Sequence, residues 1–105
     1  MRVSRTAQAE ADALEIALTI GEDSLDAALR FLDNLEATVR QLERFLLSGP
    51  HVELERFLNL RCIAVQQFPK HLLFYVVDED AVTVVRVGNT RRDWSELLGA
   101  ADQLP

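Results

Sequence analysis

One tripeptide, Ser48-Gly49-Pro50, constrains this chain more than any other feature, because the hydrophobic period changes across it. Upstream, apolar residues recur every three or four positions, the period of an α-helix. Downstream they alternate or run continuously over short stretches bounded by turn residues, the pattern of strands. A chain with helical text in its first half and strand text in its second is expected to fold as α+β, with helices packed on an antiparallel sheet.

The upstream half divides further. Met1 to Arg5 reads as a short strand with Val3 facing inward, and Thr6 is placed to cap the helix after it. Ala7, Ala11, Leu14 and Leu18 then recur at helical spacing, with Glu10, Asp12 and Glu15 off that stripe. Gly21 ends this helix or sits in its last turn, as its freedom at positive φ allows. Ser24 is the N-cap of a second helix, with Asp23 and Asp26 where the helix dipole favours negative charge. Leu25, Ala28, Leu29, Leu32, Leu35, Val39, Leu42 and Leu46 form one apolar stripe along it, and Glu36 and Arg40 form an i, i+4 pair on the outer face. Two helices joined this closely should form an antiparallel hairpin.

In the downstream half, His51 to Leu58 is irregular. Leu60 to Gln66 alternates, with Arg61, Ile63 and Val65 on one face and Leu60, Cys62 and Ala64 on the other. Phe68-Pro69-Lys70 reads as a turn, Leu72 to Val77 as a central strand, Asp78-Glu79-Asp80 as a tight turn and Ala81 to Val87 as a third strand. Gly88-Asn89 should break that strand. Asp93, with Glu96 three residues on, makes a capping box for a short closing helix. The expected whole is a single domain over residues 1–105, with strand and helix hairpin in 1–50 and meander and closing helix in 51–105.

Charge and cysteine usage narrow the functions. The chain carries a formal charge of −6, which repels nucleic acid and anionic membranes at long range, so direct DNA binding is not expected. The charge is uneven: residues 1–50 hold five arginines against nine acids, whereas residues 59–94 carry a slight positive excess. An anionic partner would meet the second half. Cys62 is the sole cysteine, so neither an internal disulfide nor a thiolate zinc cluster can form, and it reads as a small buried hydrophobe. Residues 1–12 lack the apolar stretch of an export signal, and no apolar run could span a bilayer, which points to the cytosol.

Catalytic constellations are scarce. His51 and His71 are not at metal-ligand spacing, and Gly21, Gly49, Gly88 and Gly99 are isolated, so no phosphate loop is present. No cofactor and no metal are expected. The residues that invite a functional reading are Arg61, Arg86, Arg91 and Arg92, whose guanidiniums could grip phosphate or carboxylate bidentately. Arg86 alternates with Val85 and Val87 and so should project from the opposite sheet face, with Arg61 on the same sheet two strands away. The alternative is that these arginines form ordinary ion pairs with Asp78, Asp93 or helix carboxylates. Trp94 beside them reads first as a packing anchor.

Particular stretches of text then carry a resemblance. These are residues 5–23, Ser24-Leu25-Asp26-Ala27-Ala28-Leu29-Arg30-Phe31, Phe68-Pro69-Lys70-His71-Leu72-Leu73-Phe74-Tyr75-Val76-Val77-Asp78, Val84-Val85-Arg86-Val87 and Arg92-Asp93-Trp94. In this order and spacing they resemble the RelE/ParE toxin superfamily, most closely its plasmid-stabilisation, ParE-like branch. The resemblance implies the toxin of a type II toxin–antitoxin pair, a small cytoplasmic protein causing growth inhibition and neutralised by an antitoxin that lays helix and strand segments on its surface. It implies one of two activities, ribosome-dependent mRNA cleavage or inhibition of DNA gyrase.

The residues here favour the second. Where mRNA-cleaving members place cations and a titratable group, this chain has Cys62, Ala64, His71, Thr90 and Leu97, too little to stabilise a pentacoordinate phosphate and move protons. The expectation is therefore a binding protein and not an enzyme, acting on a protein target such as gyrase through Arg61, Arg86, Arg91, Arg92 and Trp94. The alternatives are a RelE-like endoribonuclease using Arg61, His71, Arg86 and Arg91 on the ribosome, or a non-toxic interaction module that keeps the fold. For the antitoxin, the long helix is expected to offer Leu32, Leu35, Val39 and Leu42, a face over which a free chain could pair with itself.

Overall fold

The structure, a computed structural model, describes residues 2–52, 59–79 and 81–90. In chain order the elements are β1 (Arg2–Arg5), α1 (Ala7–Gly21), α2 (Leu25–Arg44), β2 (Leu60–Val65), β3 (Phe68–Asp78) and β4 (Ala81–Asn89). They form an α+β fold. The strands make one four-stranded sheet in the order β1-β4-β3-β2. β2, β3 and β4 pair antiparallel as a meander, and β1 adds to β4 in parallel, with Val3 opposite Val82 and Arg5 opposite Val84.

Local capping is as the residue types dictate. The Thr6 hydroxyl accepts from Ala9 N–H at 3.0 Å and donates to the Val85 carbonyl at 3.1 Å, so one residue starts α1 and ties it to β4. The Ser24 hydroxyl accepts from Ala27 N–H at 3.1 Å to start α2. Thr38, fully buried on α2, donates to the Asn34 carbonyl at 2.8 Å and accepts from Gln66 N–H at 3.0 Å, pinning the β2–β3 turn under the helix.

The main core lies between the hairpin and one face of the sheet. It holds Ala9, Ala13 and Ala17 of α1, Phe31, Leu35, Val39 and Leu42 of α2, and Val65, Leu73, Tyr75, Val82, Val84 and Val87 of the sheet. A smaller cluster of Leu60, Phe74 and Val85 lies apart from it, with Val52, Cys62, Leu72 and Val76 packed around it.

Several expectations need correction. The stripe of Ala7, Ala11, Leu14 and Leu18 on α1 exists but faces outward: Leu14 is 59% and Leu18 64% exposed. The inward face is the rival stripe of alanines, whose small side chains let the helix lie close to its neighbours, with Ile16 and Ile20 at its edge. On α2, Leu25 and Leu29 are likewise exposed, and Phe31 takes the interior in their stead. Glu36 accepts from Arg5 Nη2 at 2.6 and 2.7 Å, an ion pair with β1 and not the expected one with Arg40. α2 ends at Arg44, before Ser48-Gly49-Pro50. Gly21 sits in the last turn of α1, as expected, but without a positive φ.

In the sheet, the β2–β3 turn is Gln66-Gln67, with Gln67 at φ 68°, and Phe68-Pro69-Lys70 already belongs to β3. Asp78 ends β3 and Glu79 turns at φ 56°. Gly88 and Asn89 continue β4, paired with Leu72 and His71. His51 forms an isolated bridge to Arg61, while residues 53–58 and the expected closing helix with Asp93 and Glu96 lie outside the described residues.

Candidate functional site

Arg86 is 7% exposed, and its guanidinium turns toward α1. The register slips between Phe74 and Tyr75, which breaks the alternation on β4. Val85 lies in the smaller cluster, as alternation from Val84 already places it; past the slip Val87 returns to the main core, and Arg86 reaches Asp12, the residue expected off the apolar stripe. Nε donates to Oδ2 at 2.7 Å and Nη2 to Oδ1 at 3.0 Å. Val87 N–H donates to Oδ2 at 3.0 Å and Gln8 Nε2 to Oδ1 at 3.0 Å. Four donors satisfy this buried carboxylate, as burial of a charge requires. Geometrically the pair bolts α1 to β4.

Arg61 is held differently. Its Nη1 donates to the Gly49 carbonyl at 2.7 Å and the Leu47 carbonyl at 3.3 Å, closing the loop that follows α2. That loop is tight. A Cβ on Gly49 would land on the Cys62 carbonyl, and Gly49 N–H donates to the Tyr75 hydroxyl at 2.9 Å. Burial raises the Tyr75 pKa, opposed by the Gly49 hydrogen bond and the Arg61 charge, and burial also raises that of Cys62. Arg61 on β2 and Arg86 on β4 are separated by the whole of β3. Arg91, Arg92 and Trp94 lie outside the described residues. The sequence-level set is thus not assembled into one site by the described residues.

His71, at the start of the apolar part of β3, stacks edge-on against Phe31 (centroids 5.3 Å apart) and lies 6.4 Å from Phe68. Desolvation there lowers its pKa and favours the neutral ring. Its Nδ1 is buried and has no hydrogen-bond partner among the described residues. The ring lines a cavity of about 250 Å³ between α1 and the adjoining ends of β3 and β4. Among the described residues no cluster of three or more His, Cys, Asp or Glu could hold a metal ion, and no helix is long and apolar enough to cross a membrane.

Of the residues expected to meet an antitoxin, Leu35, Val39 and Leu42 are in the core at 3%, 6% and 0% exposure, and Leu32 packs against it. Among the described residues the exposed large apolar side chains lie elsewhere: Phe45 and Leu47 just past α2, and four leucines near the other end of the hairpin. Leu14 and Leu18 are one turn apart on α1, Leu25 and Leu29 one turn apart on α2, all more than half exposed and flanking the hairpin turn. Leaving a leucine in water forgoes roughly 1.5–3 kcal/mol of burial. Residue size alone points these leucines inward, so their exposure is not legible from hydrophobicity. The signal that could have found it was the competing Ala9, Ala13, Ala17 stripe, in phase with Asp12, Ile16 and Ile20.

This order of elements, a short strand, a helix hairpin and a meander completed by the parallel first strand, matches known proteins. A family model described as the ParE toxin of type II toxin–antitoxin system, parDE, matches residues 3–94. The chain therefore belongs to the ParE toxin family. Among solved structures it is similar to a chain of the chromosomal ParDE TA system from P. aeruginosa, at 17% identity and a TM-score of 0.69. That match covers 85% of this chain and 95% of the other, and at such low identity the likeness is one of fold. No curated protein matches.

Proposed function

We propose that this chain is a toxin that acts in the cytosol by binding a protein target such as DNA gyrase, and that a cognate antitoxin neutralises it. The observation that carries the choice of binder over nuclease is the fate of Arg86: its Nε and Nη2 are committed to Asp12, in a buried pair that no substrate phosphate reaches without breaking it. Arg61 is committed to two backbone carbonyls, and His71 is packed against phenylalanines. A ribosome-dependent nuclease needs such groups aimed at one phosphate. A protein-binding toxin needs only a surface.

We assign the antitoxin's apolar helix to the exposed face of Leu14, Leu18, Leu25 and Leu29, replacing the buried stripe of α2. An amphipathic helix recognises apolar side chains spaced by single turns, and the family supplies the class of partner. Expression of the chain in bacteria, alone and with candidate antitoxins, tests the reading. Growth arrest relieved by one antitoxin, with loss of gyrase supercoiling and intact mRNA on translating ribosomes, is the expected result. Unimpaired growth would overturn the toxin reading in favour of an interaction module. Cleaved mRNA would restore the nuclease.

A further inference from the structure

The cavity between α1 and the ends of β3 and β4 plays no part in the proposal above. Its volume, about 250 Å³, lies below the roughly 300–1,000 Å³ of sites for drug-sized ligands, so it suits one long side chain better than a cofactor. Its walls are mixed in a particular way. Ile16, Ile20 and Val87 are apolar and Gly88 adds no side chain. The polar lining is Asp12, Glu15, Thr19, His71 and Asn89.

The electrostatics of that lining are one-sided. Asp12 is already neutralised by Arg86, and both its oxygens are filled by four donors. Glu15 is exposed, and among the described residues its carboxylate enters no ion pair. Thr19 donates its hydroxyl proton to the Glu15 carbonyl at 3.0 Å, which leaves the hydroxyl oxygen only lone pairs to offer. Among the described residues no lysine or arginine lines the cavity; desolvation against the phenylalanines lowers the His71 pKa and favours its neutral ring, whose Nδ1 has no hydrogen-bond partner among those residues. Apolar walls with a carboxylate and hydroxyl lone pairs are complementary to an aliphatic stem ending in a positive group. The chain's net charge of −6 draws such a group in from a distance.

We infer that this cavity is a socket for one basic side chain, lysine or arginine, presented by a partner polypeptide. The identity of the partner as the antitoxin rests on the function proposed above; the socket does not. The stem would lie on Ile16, Ile20 and Val87, and the charged head would meet Glu15 and Thr19.

Titration of the full chain with n-butylguanidinium, followed by backbone amide NMR, tests the socket without any antitoxin. The neutral isostere n-butylurea is the control. Saturable shifts at Ile16, Thr19, Val87, Gly88 and Asn89 with a dissociation constant in roughly the millimolar range are expected for so small a ligand. Binding should weaken about tenfold for n-butylurea and for the Glu15→Gln chain, the loss of one charge-assisted contact. Equal affinity for the two probes, or no saturable shift at those amides, would overturn the socket. The partner is tested separately, with the antitoxin that rescues growth. Glu15→Lys should weaken its binding at least tenfold, and unchanged binding beside an intact response to n-butylguanidinium would overturn the assignment to a partner's side chain. Failure of the toxin reading would show instead as no growth arrest, with the NMR response unaffected.

Discussion

At the scale of single residues, Asp12 and His71 carry the sharpest consequences. Asp12 and Arg86 are buried together, and removing one partner strands the other's charge in the interior. Arg86→Ala and Asp12→Ala should each lower stability by about 3–5 kcal/mol in denaturant unfolding, while the double replacement Asp12→Leu with Arg86→Met should recover most of the loss. A mild single mutant would mean that water or a rearranged neighbour rescues the stranded charge. His71 predicts a pH dependence. Its pKa in the fold is below the ordinary 6.5, so as pH falls through that value the unfolded chain takes up the proton first. Stability is therefore fully present above about pH 6.5 and declines below it. His71→Phe should flatten part of the loss between neutral pH and about pH 5.5 relative to the parent, leaving the share due to carboxylates. The sequence showed both residues but neither role. Asp12 lay off the stripe taken as apolar, and its partner is 74 positions away in the chain.

At the scale of elements, the two helices and the meander were readable because each rests on local signals. Thr6 and Ser24 cap as their residue types require, and the alternation of β2 sorts Leu60 from Ile63 and Val65 into separate clusters. The boundaries were read less well. Hydrogen bonding to a neighbouring strand keeps Phe68-Pro69-Lys70 and Gly88-Asn89 in the sheet despite their turn-like composition. Two glycines show the difference between local and tertiary demands. Gly21 ends a helix without positive φ, and a Cβ there would make an ordinary 3.6 Å contact with Ala28. Gly21→Ala should stabilise the chain by roughly 0.5–1 kcal/mol in thermal or denaturant unfolding. Gly49→Ala should do the reverse, costing about 1–3 kcal/mol, because its Cβ meets the Cys62 backbone and the Tyr75 hydroxyl.

At the scale of the whole molecule, the proposed antitoxin face predicts that the exposed hairpin leucines separate stability from recognition. Leu18→Glu or Leu29→Gln should change unfolding free energy by no more than about 0.5 kcal/mol, since little packing is lost, yet should weaken antitoxin binding at least tenfold by calorimetry. A mutant that loses stability and binding together would place these leucines in the fold's own packing. The sequence by itself determined the α+β class, the order of its elements and their caps, because periodicity and capping depend on residues within a few positions of one another. Only the tertiary structure decided which stripe of α1 faces inward, that β1 joins β4 in parallel, that Arg86 spends its charge on Asp12, and where a cavity is left between α1 and the sheet. Each of these depends on which surfaces meet across the hairpin and sheet. The chain carries both stripes of α1 at helical spacing, and only the close approach of the helix to α2 and the sheet selects alanine over leucine at that contact.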